Sequence, residues 1–351
     1  MERLKKLKRL IEEKGYQGFL ATNVENVFYL TNFWGEGMAL FTGDSITLFT
    51  YYLEKERALA SAKGCDIIAL ERGSKIFEAI SEKVSKVKIC IDNTKGKVIQ
   101  SLKEKGVNIS LEPNLIYEVR RFKEDQEIDK IKKAGEFLDK LYDYSLKILK
   151  EGKTEREILG ELIKEVISEG YDLSNPSTSL QPLIVAFGEN SSHPHAYSTD
   201  RKLKRGDVIL LDLFIRYEGY VCDCTRTFIL GRAGEKFKDI YELVKSSQEK
   251  GLEILREGIK ASLVDRTSRQ ILKDFDKYFI HGLGHGVGLE VHEPPTLNSQ
   301  SKDIIRNRDV VTIEPGVYLS KEFGIRIEDT VSLREGEKVI FNKFTKDLVE
   351  I

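Results

Sequence analysis

The chain has 351 residues, 40% hydrophobic and 32% charged, with 56 Lys and Arg against 57 Asp and Glu. That length suggests two domains, and the composition supports a packed core rather than disorder. A net charge of −1 lacks the basic excess of a nucleic-acid binder, and no apolar run approaches the ~20 residues that span a bilayer.

In chain order, Leu4, Leu7, Leu10 and Ile11 recur at helical spacing and Gly15 stops the helix. Its basic face reads as a solvated surface, because Glu12 and Glu13 dilute the charge. The stretch is charged throughout, with no apolar segment for a secretory signal. Four cysteines are too few for a disulfide framework at this size, so a reducing cytoplasm is expected. Short apolar runs at 18–21, 38–42, 45–49, 66–70 and 88–91 read as strands, with helices near 53–62 and 74–84. This alternation predicts an α/β layer on a parallel or mixed sheet, and Thr42-Gly43-Asp44 reads as a hairpin turn. The charge-dense segment 118–129 marks a boundary, which sets an N-terminal α/β domain over 1–120 and a second domain over 121–351. The second opens with helical patterns at 128–149 and 155–169. It turns strand-rich after 180, with helices near 237–256 and 263–277. The fold class expected for the whole is α+β.

All five histidines (His193, His195, His281, His285 and His292) fall in this second part. The run 207–227 reads as a β-hairpin around Tyr217-Glu218-Gly219. A loop at 217–218 sets Asp212 directly opposite Asp223, and a loop at 218–219 makes them diagonal neighbours. In both cases the two carboxylates share a face and repel, so a proton or a cation must lie between them. Cys222 and Cys224 flank Asp223 and point the other way, as strand packers rather than ligands. Around His285, glycines at 282, 284, 286 and 288 read as room for the backbone to approach a ligand. Their spacing does not fit a phosphate-binding loop. Glu314 and Glu328 lie on further apolar runs. Four carboxylates with one imidazole suit Mn²⁺, Co²⁺, Fe²⁺ or Zn²⁺, and carboxylates able to bridge two ions are the hallmark of two-metal hydrolases.

These residues resemble those of the pita-bread metallopeptidases, the group of prolidase, aminopeptidase P and methionine aminopeptidase. The likeness is carried by Asp212, Asp-Cys-Thr-Arg-Thr at 223–227, Gly-His-Gly-Val-Gly-Leu at 284–289, Glu-Pro-Gly at 314–316 and Arg-Ile-Glu-Asp at 326–329. It implies a pita-bread catalytic domain behind a creatinase-type N-terminal domain, which ranks methionine aminopeptidase lower. By the same resemblance Asp212, Asp223, His285, Glu314 and Glu328 bind two divalent ions, Mn²⁺ or Co²⁺ first and Zn²⁺ or Fe²⁺ as further options. Glu314 takes a proton from the attacking water, His195 faces the scissile bond, His292 steadies the tetrahedral intermediate, and Arg326 orients the ligands. His193 and His281 read as polar loop residues without a catalytic role.

The expected activity is hydrolysis of the bond preceding proline in Xaa-Pro dipeptides, by a cytoplasmic homodimer with no nucleic-acid or membrane partner. Two departures from the family pattern bear on this. Phe214 stands where the family often has Gly, and is expected to narrow the pocket or to sit on a bulge. Pro294-Pro295-Thr296 stands where many prolidases carry an Arg for the substrate carboxylate. The alternatives are aminopeptidase P acting on longer peptides, a non-catalytic binding module of the same fold, and a metal-independent creatinase-like hydrolase. The last two are disfavoured because all five ligand types are present.

Overall fold

Short strands with helices between them build the first of two units, Met1–Arg120, in a computed structural model that describes residues 2–73, 75–92, 96–176 and 178–351. Helix α1 (Glu2–Glu13) buries Leu7 and Ile11. After it come β1 (Gly18–Ala21), α2 (Val24–Thr31), β2 (Gly37–Thr42), β3 (Ser45–Tyr51), α3 (Lys55–Ser61) and β4 (Asp66–Leu70). The unit continues with α4 (Lys75–Lys83), β5 (Lys88–Ile91), α5 (Gly96–Glu104), β6 (Asn108–Leu111) and α6 (Leu115–Arg120). Position 74, expected to open the helix now labelled α4, lies outside the described residues.

The six strands order as β4-β3-β2-β1-β5-β6. β2 runs antiparallel to both neighbours and the outer pairings are parallel, so the sheet is mixed. Leu20, Leu40, Phe49, Ile89 and Ile91 of the sheet pack against Ile76, Ile80 and Leu102 of α4 and α5. Helix α2 is absent from the sequence reading, because eight residues are too few for a 3.6-residue period to stand out from a buried strand.

The second unit, Arg121–Ile351, opens with α7 (Asp125–Ile148) and α8 (Glu155–Ser168). Each starts at a reciprocal cap, Glu124 with Glu127 and Thr154 with Glu157. Strands β7 (Leu183–Phe187), β8 (Val208–Tyr217) and β9 (Tyr220–Ile229) form an antiparallel sheet. Helices α9 (Glu235–Ile254) and α10 (Ala261–Ile271) follow. The expected helix near 263–277 is split, because Lys273 takes a left-handed φ of 51° and a 3₁₀ turn replaces the last part. The remaining strands are β10 (Gly284–Gly286), β11 (Glu293–Leu297), β12 (Val310–Ile313), β13 (Gly316–Leu319), β14 (Phe323–Arg326), β15 (Asp329–Arg334) and β16 (Glu337–Ile340). They form a sheet ordered β11-β10-β12-β15-β16 and a separate β13–β14 hairpin.

Every residue of β9 is buried, which requires cover on both of its faces. On one face Tyr142 of α7 donates its hydroxyl toward the carbonyls of Leu211 (3.1 Å) and Cys224 (2.6 Å). Cys222 lies against Gly135 of α7, where an added Cβ would meet its sulfur at 3.2 Å. Both cysteines are buried in this packing and are free thiols. On the same face the buried Arg226 donates to Asp329 (2.7 Å) and to the carbonyls of Glu328 (2.5 Å) and Phe344 (2.8 Å). Gln248 (2.9 Å) and Lys346 (3.1 Å) complete the shell of Asp329. Removing one member of a buried ion pair leaves the other charge poorly compensated, at a cost of about 3–5 kcal/mol. Arg226→Met is therefore expected to lower the thermal midpoint of this unit, followed by tryptophan-independent circular dichroism. An unchanged midpoint would show that the network contributes nothing.

Candidate metal centre

The turn between β8 and β9 decides how the first two carboxylates meet. Glu218 and Gly219 form a two-residue loop, both at positive φ (44° and 90°), which matches the twist of the strands. Tyr217 then pairs with Tyr220, Asp212 falls opposite Thr225, and Phe214 falls opposite Asp223. Asp212 and Asp223 are thus diagonal neighbours, the second of the two registers left open by the sequence. Thr225 shares their face, and its Oγ1 lies 3.0 Å from Asp212 Oδ1 and 2.7 Å from Glu328 Oε2. The pairing of β8 with β9 is regular, so Phe214 sits on no bulge. It is buried against Val221, Val291 and Leu180.

His285 sits on β10, between β11 and β12. A Cβ at Gly284 would lie 2.0 Å from the Thr312 carbonyl oxygen, and one at Gly286 would lie 2.4 Å from that of Pro294. This corrects the sequence reading of these glycines: the close approach they permit is to the neighbouring strands, not to a ligand. His285 Nδ1 lies 3.2 Å from the Gly286 carbonyl, which leaves Nε2 facing Glu314 Oε1 at 3.3 Å. One ligand atom each from Asp223, His285 and Glu328 lie within 4.8 Å of one another. Thr225 joins Asp212 to this group and His285 joins Glu314, so the structure gathers all five candidate ligands from β8, β9, β10, the end of β12 and the start of β15.

The other candidates surround the cluster. Arg326 is buried and donates to Asp212 Oδ2 (2.6 Å), Thr225 Oγ1 (3.0 Å) and the Tyr318 hydroxyl (2.5 Å). The His292 ring stands edge-on to His285 with centroids 4.1 Å apart. Its neighbour Glu293 forms a buried ion pair with Lys123 at 2.7 Å, which pins that segment. His195 is exposed, on the loop after β7. His193 is exposed too, and its Nδ1 lies 3.2 Å from the Asn190 carbonyl. His281 lies in the loop before β10, yet it is not apart from the site. Its Nε2 faces the Tyr318 hydroxyl at 2.8 Å and its Nδ1 lies 3.9 Å from Glu314 Oε2. Sequence reasoning also missed Thr225 and Tyr318. Thr225 was accessible, since it lies two residues from Asp223 on the same face of a strand. Tyr318 was not, because it reaches the site across the β13–β14 hairpin.

Burial and mutual repulsion dominate the electrostatics. Asp223 and Glu328 are held well above the carboxylate range, by burial first and then by the neighbouring acids. Burial raises Glu314 to about 8, against the pull of Arg326. The imidazoles move the other way. Burial lowers His285 to about 4 and His281 to about 3, and the charge of His285 followed by burial lowers His292 to about 3. His195, although exposed at the surface, is lowered by partial desolvation of its ring and by Arg326. Asp223 Oδ1 and Glu328 Oε1 are buried without a hydrogen-bond donor among the described residues. Buried acceptors of this kind, beside an imidazole whose Nε2 is aimed inward, fit divalent cations.

Four carboxylates and an imidazole converging from two sheets define a metallohydrolase. The chain belongs to the metallopeptidase family M24, which residues 129–335 match, and residues 3–121 match the creatinase/prolidase N-terminal domain. It is 32% identical over 355 residues to a Xaa-Pro dipeptidase of Pyrococcus furiosus, covering 99% of each chain. Its fold matches the prolidase of Pyrococcus horikoshii with a TM-score of 0.91 at 31% identity, over 99% of this chain and 100% of that one. It also matches an X-Pro aminopeptidase of Thermotoga maritima with a TM-score of 0.85 at 27% identity, over 98% and 100% of the two chains.

The raised carboxylates set how the metal-free protein responds to pH. Between their unfolded range and their folded values the native state binds more protons than the unfolded chain. Their contribution to stability is therefore full below the unfolded pKa and is lost as pH rises through the folded one. Below about pH 6.5 the imidazoles held neutral in the fold oppose this trend, since the unfolded chain protonates them. The metal-stripped protein is therefore expected to melt at progressively lower temperature from about pH 6.5 to about pH 8, reaching the folded Glu314 value of about 8. Saturating divalent metal should take the place of the protons and flatten that slope. Differential scanning fluorimetry with and without metal checks this, and a rising midpoint for the stripped protein would contradict it.

Proposed function

We propose that the chain is a dinuclear Xaa-Pro dipeptidase (prolidase), hydrolysing the peptide bond that precedes proline in dipeptides. The observation that carries this reading is the pair of buried, donor-less oxygens of Asp223 and Glu328 beside His285, in a chain that aligns end to end with a Xaa-Pro dipeptidase. Asp212, Asp223, His285, Glu314 and Glu328 would hold two divalent ions. Mn²⁺ or Co²⁺ come first and Zn²⁺ or Fe²⁺ second, because an oxygen-rich set with one nitrogen suits hard-to-borderline cations. Bound there, such ions supply Lewis-acid polarisation of the substrate carbonyl and acidify water.

The chain's own groups do the rest. Glu314, facing His285 and His281, accepts the proton of the attacking water. His292 is kept neutral by its neighbour and by burial. It presents an N–H to the oxygen on which negative charge develops. His195 approaches the scissile bond from the exposed side, and donates to the same carbonyl. Arg326 acts through Asp212, whose carboxylate it holds in one orientation. Four free cysteines suit a reducing cytoplasm, and the creatinase-type N-terminal domain suits a homodimer.

A second reading, aminopeptidase P acting on longer peptides, is favoured by one observation: no Arg stands in the few residues after His292, where Pro294-Pro295-Thr296 stands. Arg is the residue that grips a free carboxylate in bidentate fashion. The test is to strip the protein, restore Mn²⁺ or Co²⁺, and compare a Xaa-Pro dipeptide with a Xaa-Pro-Pro tripeptide. Faster turnover of the dipeptide is expected. Cleavage of the tripeptide alone would establish aminopeptidase P, while no retained metal and no turnover would point to a binding module. His292→Ala should lower kcat by about 10²–10³-fold with metal content unchanged by elemental analysis.

A further inference from the structure

Glu155, the first residue of α8, carries a fully buried carboxylate far in sequence from every group assigned above. Its Oε1 accepts from the Phe187 amide (2.7 Å) and the Asn190 side-chain amide (3.0 Å). Its Oε2 accepts from the Asn190 side chain (2.9 Å), the Thr199 amide (2.6 Å) and the Thr199 hydroxyl (2.7 Å). All of these donors are neutral, and all lie between Phe187 and Thr199. That is the segment that leaves β7 and carries His195. The backbone repeats the arrangement, since the amides of Glu155 and Arg156 donate to the carbonyls of Arg201 (3.1 Å) and Thr199 (3.2 Å). One carboxylate thus ties the entry, the first turn and the exit of a loop whose Pro194 carbonyl lies 3.4 Å from the Arg326 guanidinium.

We propose that Glu155 is a positioning residue, which closes the 187–199 loop and so holds His195 in place over the metal centre. The inference rests on the peptidase reading of His195. A carboxylate is required because every partner is a donor. A Gln amide keeps one acceptor oxygen and must turn its NH₂ toward the amide of either Phe187 or Thr199, so the isosteric change breaks the closure from one side. The loop is then free to shift, and a displacement of about 1 Å at a group that contacts the reacting carbonyl costs up to about 10²-fold in rate.

The test compares wild type, Glu155→Gln, His195→Ala and the double variant, each loaded with Mn²⁺. Glu155→Gln is expected to lower kcat on a Xaa-Pro dipeptide by about 10–100-fold, with KM and metal content near wild type. The losses should not multiply: in the His195→Ala background the change at Glu155 should cost less than about 3-fold. Hydrogen exchange read by mass spectrometry should rise in peptides covering 187–199 and stay unchanged in α7 and β8. Asn190→Ala, which removes one donor, gives a milder form of both effects and serves if Glu155→Gln does not fold. Fully multiplicative losses, or wild-type exchange over 187–199, would overturn the proposal. Failure of the peptidase reading looks different, because wild type itself then turns over no Xaa-Pro substrate.

Discussion

Three carboxylates held far from their ordinary ionisation share one buried space with a fourth, and only one guanidinium reaches them among the described residues. Burying a charge is costly unless it is paired. Arg326 is committed to Asp212, Thr225 and Tyr318, which leaves Asp223 and Glu328 without a cation of their own. Protons or divalent ions must supply the balance. The rest of the second unit can be understood as the apparatus that makes such an uncompensated cluster survivable.

That apparatus is a rigid back wall. α7 covers β9 from behind through Tyr142 and the two cysteines. The Arg226–Asp329 pair fixes the backbone that carries Glu328 and is itself clamped by the carbonyls of the C-terminal segment. Glycines in β10 let three strands approach so closely that His285 has little freedom. Rigidity of this kind costs conformational entropy throughout the unit. It also prevents the acids from relaxing apart, so they remain poised for a ligand that bridges them.

The histidines divide by the same logic. His285 on β10 and His281 in the loop before it have rings fixed by neighbouring carbonyls and are driven neutral by burial. Those that approach from outside are steadied indirectly, His292 through the Lys123–Glu293 pair beside it and His195 through the loop closed on Glu155. A site assembled from remote stretches of chain needs such anchors, because a loop has no ladder of its own to hold it.

Much of this was legible in the residues themselves. Asp212 and Asp223 share a face because a strand alternates with period two, so both possible turns led to the same conclusion. The parity of Cys222 and Cys224 sent them to the opposite face for the same reason. The long amphipathic helices α7 and α9 showed their period plainly, whereas the eight residues of α2 did not. What only the tertiary structure decided was which distant groups meet. His281, a loop residue read as having no role, gave no local sign that Tyr318 and Glu314 lie beside it. The glycines around His285 looked like space for a ligand because nothing local reveals the carbonyls of Thr312 and Pro294. Composition, period and turn chemistry act between near neighbours and can be read along the chain. Burial, repulsion between acids and the anchoring of loops act between elements, and they exist only once the sheets have packed.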